Sequence, residues 1–405
     1  MRKLLWLGCL SYLVIGLAHV VAGSVLESVI DHYRISYKDG GQWIMNQFLG
    51  FLAGVLITPW ITSRIGRRGG MLLALGSLTA AQAAYSMLLP WGWMLAFAPL
   101  SGFGFGMTEA VVGAVIIELV KDSKASAMSR LEVFFGLGAL IMPSLAALLI
   151  REGIWQMSFP ILTALSGITM LLWLTLSFGP ADEHIAFMPR QQQDRIARKP
   201  EPRRYGRSAL PFLVIGALFF TLYVGMEMSF ANYLPSILVE RSGMDSAQGA
   251  GVLSLFWATM VVGRLFMGWI ADRTGYVRYL IVTTSAAVVL FAVMGWTQQL
   301  TGTVLLICMT GLILSGIFGI ALVYVNGLLP GMTERTTSLM VAFGGIGGAV
   351  FPRLSGWLMD NYEADTVIWM IAGMSACMLI LTIVMTVLGR KQAVAINAPG
   401  SSEAG

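Results

Sequence analysis

Glu109 is the residue of this sequence whose position most requires a chemical explanation. It lies in the apolar stretch GFGFGMTEAVVGAVIIELV, which begins at Gly102. Gly102, Gly106, Glu109 and Gly113 are separated by four, three and four residues, so they share one face of a helix. Glycine marks the face on which neighbouring helices approach closely. We therefore expect the Glu109 carboxyl group to point into a helix bundle, where removal from water favours its protonated form.

Three ionisable residues in apolar stretches are candidates for proton coupling. Carboxyl groups at such positions are costly and usually functional, so Glu109 is interpreted as a proton carrier, with a structural hydrogen bond or salt bridge as the alternative. Glu132 is interpreted as a hydrogen-bond acceptor for solute or as a second protonatable group, and the alternative is an ion pair with Arg130 or another cytoplasmic base. His19 has a titration range that suits proton exchange. Its alternative is a core histidine with satisfied hydrogen bonds.

Polar and aromatic side chains in other apolar stretches indicate a binding site for a hydroxyl-rich solute. Amides and carboxylates bind hydroxyl groups, and aromatic rings cover the apolar C–H surface of such a molecule. The alternative for each aromatic residue is ordinary packing. The predicted solute-binding residues are Asn46, Gln47, Glu132, Tyr223, Glu227, Asn232, Trp257, Tyr324 and Asn326.

The elements that hold these residues are predicted to be membrane-spanning helices. Of the 405 residues, 57% are hydrophobic and 12% are charged, whereas a soluble domain carries about 25% charged residues. Apolar runs of about 20 residues are long enough to cross a bilayer. Twelve such runs occur, at residues 4–26, 42–63, 70–90, 94–119, 128–150, 156–178, 208–235, 247–270, 279–298, 302–328, 336–358 and 366–389. The tryptophans near their ends, expected at the membrane interface, are Trp43, Trp60, Trp91 and Trp93. The sequence therefore predicts an all-α integral membrane protein with twelve transmembrane helices.

The distribution of basic residues predicts the orientation of these helices. One set of loops is rich in lysine and arginine, including seven basic residues between Arg190 and Arg207. The other set contains only Arg34, Lys38, Arg151 and Arg241. Because basic loops stay in the cytoplasm, both termini and the central loop are expected there, with the protein in the inner (plasma) membrane. The net charge of +5 therefore does not indicate a nucleic-acid partner.

An internal repeat divides the chain into two six-helix halves. At a constant offset of 209 residues, Gly16 aligns with Gly225 and Gly54 with Gly263. The predicted organisation is an N-terminal half at 1–178, a cytoplasmic linker at 179–207, a C-terminal half at 208–389 and a disordered cytoplasmic tail at 390–405. An even number of helices per half makes the repeat parallel, and folds of this kind bind solute near the midplane between the halves.

The stretch GWIADRTGYVR, Gly268 to Arg278, resembles the loop signature of the major facilitator superfamily. The first-half copy, PWITSRIGRR, has Ser63 in place of the acid and Pro59 in place of the first glycine. The resemblance covers the whole chain and implies the two-half fold of that superfamily. It also implies that the signature forms part of a gate on the cytoplasmic side. The predicted gating residues are Asp272 and Arg273 of the signature, together with the intramembrane base Arg264.

Four further motifs resemble the bacterial fucose and glucose proton-symporter branch: GMTEAVVG, SRLEVFFGLGAL, YVGMEMSFANYLPS and FWATMVVGR. In that branch the glutamate of the fourth helix, here Glu109, belongs to the proton and sugar site. The chain departs from the fucose permease in having Gly23 where that protein has an aspartate. His19 lies nearby instead, as in the glucose-type members.

Two functional hypotheses follow. The favoured one is a secondary active transporter that works by alternating access. It would take up a small polar solute, most readily a monosaccharide, together with protons. The other is a proton-antiport exporter of drugs or amphipathic metabolites, for which the 25 methionines would suit the binding site. No nucleotide-binding loop, catalytic triad or metal-ligand spacing occurs, so neither an enzyme, a metal site nor a cofactor is expected. The predicted partners are the solute, protons and the lipid bilayer, and the expected state is a monomer.

Overall fold

The helices account for all regular structure that the computed structural model describes. It describes residues 2–119, 124–179, 182, 209–329 and 332–397, with backbone only for residues 2, 117–119, 124–127, 129, 333–334 and 391–397. The first half contains α1 (Arg2–Tyr33), α2 (Tyr37–Ser86), α3 (Trp91–Leu119), α4 (Lys124–Arg151), a 3₁₀ turn (Trp155–Met157) and α5 (Ser158–Thr175). The second half contains α6 (Leu210–Ser242), α7 (Ser246–Thr274), α8 (Tyr276–Trp296), α9 (Leu300–Leu314), α10 (Ile317–Gly327), α11 (Thr333–Asn361) and α12 (Asp365–Asn397).

These helices make twelve membrane crossings, as the sequence predicts. Eleven of the described stretches are long and apolar enough to span a membrane, and α9 and α10 together form one of them. Helix α2 has 50 residues, which at 1.5 Å each gives a length of about 75 Å, more than twice the ~30 Å hydrocarbon core. Its backbone leaves the helical region at Gly66, where φ is 75° and ψ is 168°. The residues before and after Gly66 therefore form two crossings.

The turns between the crossings lie on two opposite faces of the bundle. The face that carries Arg2, Asn397 and the turns at Gly66 and Gly275 is called here the terminal face. The opposite face carries the turns at residues 34–36, 87–90, 243–245 and 362–364, and is called the distal face.

Matching glycines let matching helices approach closely in both halves. A Cβ atom at Gly54 would lie 2.5 Å from the carbonyl oxygen of Phe103. A Cβ atom at Gly263, 209 residues later, would lie 3.0 Å from the carbonyl oxygen of Leu312, again 209 residues after its counterpart. The repeat seen in the sequence therefore recurs as a repeated helix contact in the structure.

The same offset relates residues that touch across the interface between the halves. The Nε2 atom of His19 lies 3.2 Å from the sulfur of Met228. A Cβ atom at Gly23 would lie 2.6 Å from the Cα atom of Asn232. Since both pairs are 209 residues apart, the pseudo-twofold axis passes through this crossing of α1 and α6.

Two sequence predictions are wrong in their details. Helix α12 continues to Asn397, although a disordered tail was expected from residue 390, because the sequence after Gly389 has no helix breaker before Pro399. Residues 398–405 and nearly all of the predicted linker lie outside the described residues, so the exact domain boundaries stay predictions. Trp43 is not interfacial. It is fully buried, and its indole nitrogen donates to the Tyr85 hydroxyl at 3.0 Å within the first half.

The positive φ at the two terminal-face turns predicts a requirement for glycine. Gly66 and Gly275, also 209 residues apart, have φ values of 75° and 86°, which side-chain-bearing residues adopt at a cost of about 1–3 kcal/mol. We expect Gly66→Ala and Gly275→Ala each to lower the thermal unfolding midpoint of the detergent-solubilised protein. The control is Gly373→Ala in α12, where a Cβ atom would meet nothing within 4 Å. An unchanged midpoint in both turn variants would contradict the expectation.

Candidate functional site

A cavity of about 500 Å³ lies between the two halves and brings together the predicted proton-coupling residues. Its first-half wall comes from α1, α3 and α4. Its second-half wall comes from α6, α7 and α10, with Ser315 and Gly316 just before α10. The ionisable residues lining it are His19, Glu109, Glu132, Glu227 and Arg264, together with the hydroxyl groups of Tyr12 and Tyr223. All three predicted proton-coupling residues line this cavity.

The first-half wall positions two carboxyl groups near each other. Glu109 is half-buried on α3, whereas Glu132 on α4 is exposed to the cavity. The two are close enough for their charges to interact. The Tyr12 hydroxyl donates to the backbone carbonyl oxygen of Glu109 at 3.2 Å, which holds α1 against α3 at the level of this carboxyl group.

Tyr12 was missed by the sequence analysis, although a signal for it existed. Tyr12, Gly16, His19 and Gly23 are separated by four, three and four residues, the spacing that identified the face of Glu109. Extending the His19 face by one turn would therefore have added Tyr12 to the candidate site.

His19 is enclosed more tightly than the two carboxyl groups. Its imidazole ring lies 5.4–5.5 Å, between centroids, from the rings of Phe48, Phe105 and Phe135. Its Nε2 atom faces the sulfur of Met228. These surroundings fit the alternative of a packed core histidine as well as they fit a group that exchanges protons with the cavity.

The second-half wall supplies hydrogen-bond donors without protein partners. Within the described residues, neither the indole Nε1 of Trp257 nor the NH1 nitrogen of Arg264 has a hydrogen-bond partner, and both atoms are buried. Leaving a buried donor unpaired costs about 1–3 kcal/mol. Both donors are therefore available to an acceptor that enters the cavity.

Arg264 of α7 lines this cavity. Its guanidinium group interacts electrostatically with Glu132 of the first half and Glu227 of the second. The sequence left two possibilities for this intramembrane base, an ion pair with a nearby acid and a side chain that reaches the cytoplasmic face. The observed surroundings fit the first, and a role of Arg264 in a gate stays a prediction.

Two of the predicted solute-binding residues join α2 to α3 instead of lining the cavity. The side-chain amide of Asn46 donates to the carbonyl oxygen of Leu95 at 3.1 Å, and its side-chain oxygen accepts from Gln42 at 2.6 Å. Gln47 is 3% exposed, and its backbone carbonyl packs against Gly102 of α3. The Asn46 amide therefore joins α2 to α3 by hydrogen bonds, and Gln47 packs between the same two helices.

Three further predicted residues also lie outside the cavity, all in the second half. The side-chain amide of Asn232 donates to the carbonyl oxygen of Met228 at 2.8 Å within α6. The amide of Asn326 donates to the Thr337 hydroxyl at 2.9 Å, joining α10 to α11. Tyr324 is half-buried against Gly389 of α12. Helical spacing alone could not distinguish these packing contacts from a solute site.

The two remaining predicted gating residues are at the terminal face. Asp272 accepts a hydrogen bond from the Tyr276 hydroxyl at 3.1 Å. The Arg273 guanidinium stacks on the ring of Trp269 at 3.9 Å. In the described part of the chain, no hydrogen bond or ion pair joins either residue to the first half. The cavity extends along α7 as far as Gly268, so among the described residues it opens towards this same face.

Comparison with known proteins agrees with this architecture. The profile of the Major Facilitator Superfamily matches residues 8–332. The chain is 29% identical to the glucose/mannose transporter GlcP of Bacillus subtilis over 371 residues, which cover 88% of this chain and 87% of that protein. It is 24% identical to the sodium-dependent glucose transporter 1A of Mus musculus, with 63% of this chain and 65% of that protein covered.

A solved structure shows the same fold at low sequence identity. The crystal structure of a D-xylose-proton symporter superposes with a TM-score of 0.74 and 14% identity, covering 93% of this chain and 96% of that one. The family profile spans most of the chain, and the helices form the two-sided cavity described above. The protein therefore belongs to the Major Facilitator Superfamily and is a multi-pass membrane transporter rather than an enzyme.

Proposed function

We propose that the protein takes up a monosaccharide together with protons by alternating access. The observation that carries the proposal is the cavity between the halves, which places Glu109 and Glu132 opposite the unpaired donors of Trp257 and Arg264. Its volume of about 500 Å³ lies in the range of small-molecule sites. GlcP is named a glucose/mannose transporter, and the structural neighbour is named a D-xylose-proton symporter.

The chemistry of the walls supports a polyhydroxylated solute. Glu132 and Glu227 supply acceptors for hydroxyl groups, and Trp257 and Arg264 supply donors. Phe135 and other apolar side chains of the cavity can cover C–H surface. A solute that satisfies the unpaired donors would recover the free energy that they lose by burial.

Proton coupling is assigned to Glu109. Arg264 is the one guanidinium among the described residues lining the cavity, and it interacts with Glu132 and Glu227. An ionised carboxyl group without a countercharge is costly in apolar surroundings. The carrier would then move between its two states either loaded, with Glu109 neutral, or empty after the proton has left.

The terminal face is assigned to the cytoplasm, in the inner membrane of a bacterial cell. The support is the excess of lysine and arginine in the loops of that face. The open cavity in this conformation would accordingly be the state that releases solute inside.

Glu109→Gln tests the coupling. A neutral amide resembles the protonated carboxyl group, so the variant should bind a labelled sugar and catalyse counterflow in vesicles but should not accumulate the sugar under a pH gradient. Wild-type affinity should fall as the pH rises, because the ionised form binds solute less well, and the variant's affinity should not change with pH. Accumulation by the variant would refute the proton-carrier role. Tighter wild-type binding at high pH would favour the antiport hypothesis. Accumulation driven by a sodium gradient would show that sodium, and not the proton, is the coupling ion.

Trp257→Phe tests the solute site. The change keeps an aromatic ring but removes the unpaired indole donor, so sugar affinity should fall about tenfold, the equivalent of roughly one hydrogen bond, while the unfolding midpoint should stay the same. Trp43→Phe is the matched control, since its indole bonds to Tyr85 away from the cavity. It should lower the midpoint and leave affinity unchanged. If both variants lowered affinity equally, Trp257 would not be a direct contact. Isothermal titration of the purified proteins measures affinity, and a thermal unfolding scan measures the midpoint.

The orientation is tested by labelling single cysteines. The three native cysteines, Cys9, Cys308 and Cys377, are first replaced. Thr274→Cys on the terminal face should react with an impermeant maleimide only in inside-out vesicles, and Glu152→Cys on the distal face only in right-side-out vesicles. Both positions are exposed. The reverse pattern would refute the orientation.

A further inference from the structure

Tyr37, the first residue of α2, joins the first half to the second through three kinds of hydrogen bond. Its backbone N–H donates to Oδ1 of Asp360 on α11 at 2.8 Å. Its backbone carbonyl oxygen accepts from the Tyr233 hydroxyl on α6 at 2.8 Å. Its own hydroxyl donates to Oε1 of Glu240, also on α6, at 2.9 Å. One residue on the distal face therefore holds two helices of the opposite half.

Asp360 also caps the N-terminus of α2 from the other half of the protein. Besides Tyr37, the backbone N–H of Lys38 donates to Oδ2 of Asp360 at 2.8 Å. The next N–H, of Asp39, is satisfied within the first half by the Ser36 hydroxyl. A carboxylate at a helix N-terminus is stabilised by the unpaired N–H groups and by the helix dipole. This stabilisation is present only while α11 lies against α2.

The backbones pack tightly just beneath these bonds. A Cβ atom at Gly41 of α2 would lie 2.7 Å from the Cα atom of Arg353 and 2.8 Å from the carbonyl oxygen of Pro352, both on α11. A Cβ atom at Gly356 of α11 would overlap the carbonyl oxygen of Tyr37. The distal face is closed by backbone contact as well as by hydrogen bonds.

We propose that Tyr37 and Asp360 form a distal latch, which keeps the cavity closed on the distal face and must break before solute can enter from that side. The latch consists of the hydrogen bonds that Asp360 accepts from Tyr37 and Lys38, and of those that join Tyr37 to Tyr233 and Glu240. It rests on the alternating-access cycle proposed above, but it concerns the opening of the distal face and not the identity of the solute.

The surroundings of the latch allow it to open. Asp360 and Glu240 are exposed, so water can replace their partners when the halves separate. The Tyr37 hydroxyl has a second acceptor in its own half, Oε2 of Glu27 at 3.4 Å. With one proton to donate, the hydroxyl moves from Glu240 to Glu27 as the face opens. The buried polar group then keeps a partner in both states.

The rate at which a buried cysteine is alkylated measures how often the distal face opens. Ser236 on α6 is fully buried beneath the latch, so Ser236→Cys should react with a maleimide only in the distal-open state. Gly319 lines the cavity and has open space around its Cβ position, so Gly319→Cys is reachable from whichever face is open and serves as the reference. Both reporters are used in the full chain without the native cysteines, reconstituted in nanodiscs without solute or a pH gradient.

Tyr37→Phe and Asp360→Ala should each raise the Ser236→Cys alkylation rate about tenfold, as expected for the loss of roughly one charge-assisted hydrogen bond. Neither should change the Gly319→Cys rate, because the cavity is open to one face or the other in both states. The control is Glu363→Gln, which changes an exposed acid of the α11–α12 turn that no described hydrogen bond joins to the first half. It should change neither rate.

A packing variant tests the latch without removing a hydrogen-bonding group. Gly41→Ala should wedge α2 from α11 and also raise the Ser236→Cys rate, whereas Gly251→Ala in α7, where a Cβ atom meets nothing within 4 Å, should not. An unchanged Ser236→Cys rate in the Tyr37→Phe, Asp360→Ala and Gly41→Ala variants would overturn the latch. So would an equal rise for both reporters, which indicates general loosening. Neither result would bear on the sugar or on proton coupling, which the Glu109→Gln assay tests separately.

Discussion

A bilayer offers no water to an ionisable side chain, and this constraint determines where the charges of the protein lie. A carboxyl group within the hydrocarbon region must face protein or an aqueous cavity, and its ionised form needs a countercharge or solvent. Glu109, Glu132, Glu227 and Arg264 meet this requirement by facing one another across the cavity between the halves. The same constraint requires paired backbone groups in every crossing, so the binding surface is built mainly from helix side chains. The lipid environment therefore accounts both for the clustering of charged side chains in the cavity and for the helical scaffold around it.

The internal repeat is seen in the backbone of the two halves, whereas the polar residues of the cavity differ between them. Gly54 and Gly263 occupy equivalent helix contacts, and Gly66 and Gly275 occupy equivalent turns. At the functional positions the two halves differ. Glu109 corresponds to Phe318, although both side chains line the cavity. His19 corresponds to Met228, and these two residues touch at the pseudo-twofold axis. The repeated scaffold therefore carries the carboxyl group proposed for proton coupling in one half only.

The two faces of the protein differ in how they are held. On the distal face, Tyr37 and Asp360 connect the halves through hydrogen bonds that coincide with close backbone packing. On the terminal face, Asp272 and Arg273 contact neighbours in their own half, and the cavity extends towards them. Among the described residues, contacts join the halves on the distal face and the cavity opens towards the terminal face. The distal contacts are the ones that would have to break for the opposite conformation to form.

The sequence by itself determined the class of fold, the number of crossings and the inward position of Glu109, because hydropathy and helical periodicity are local properties of the chain. The constant offset of 209 residues also determined which glycines are equivalent. Which polar residues share the cavity was decided by the tertiary structure. Asn46, Asn232 and Asn326 looked like solute ligands in the sequence but bond to neighbouring helices or to their own.

The distal latch could not be predicted from the sequence either, because it depends on tertiary packing. Tyr37 and Asp360 are polar residues at helix ends, separated by more than 300 positions, and neither has an unusual local pattern. Their pairing exists because the packing of α2 against α11 brings a helix N-terminus to a carboxylate of the other half. Periodicity specifies the face of a helix on which a residue lies. Only the packing of the two halves specifies what that face meets.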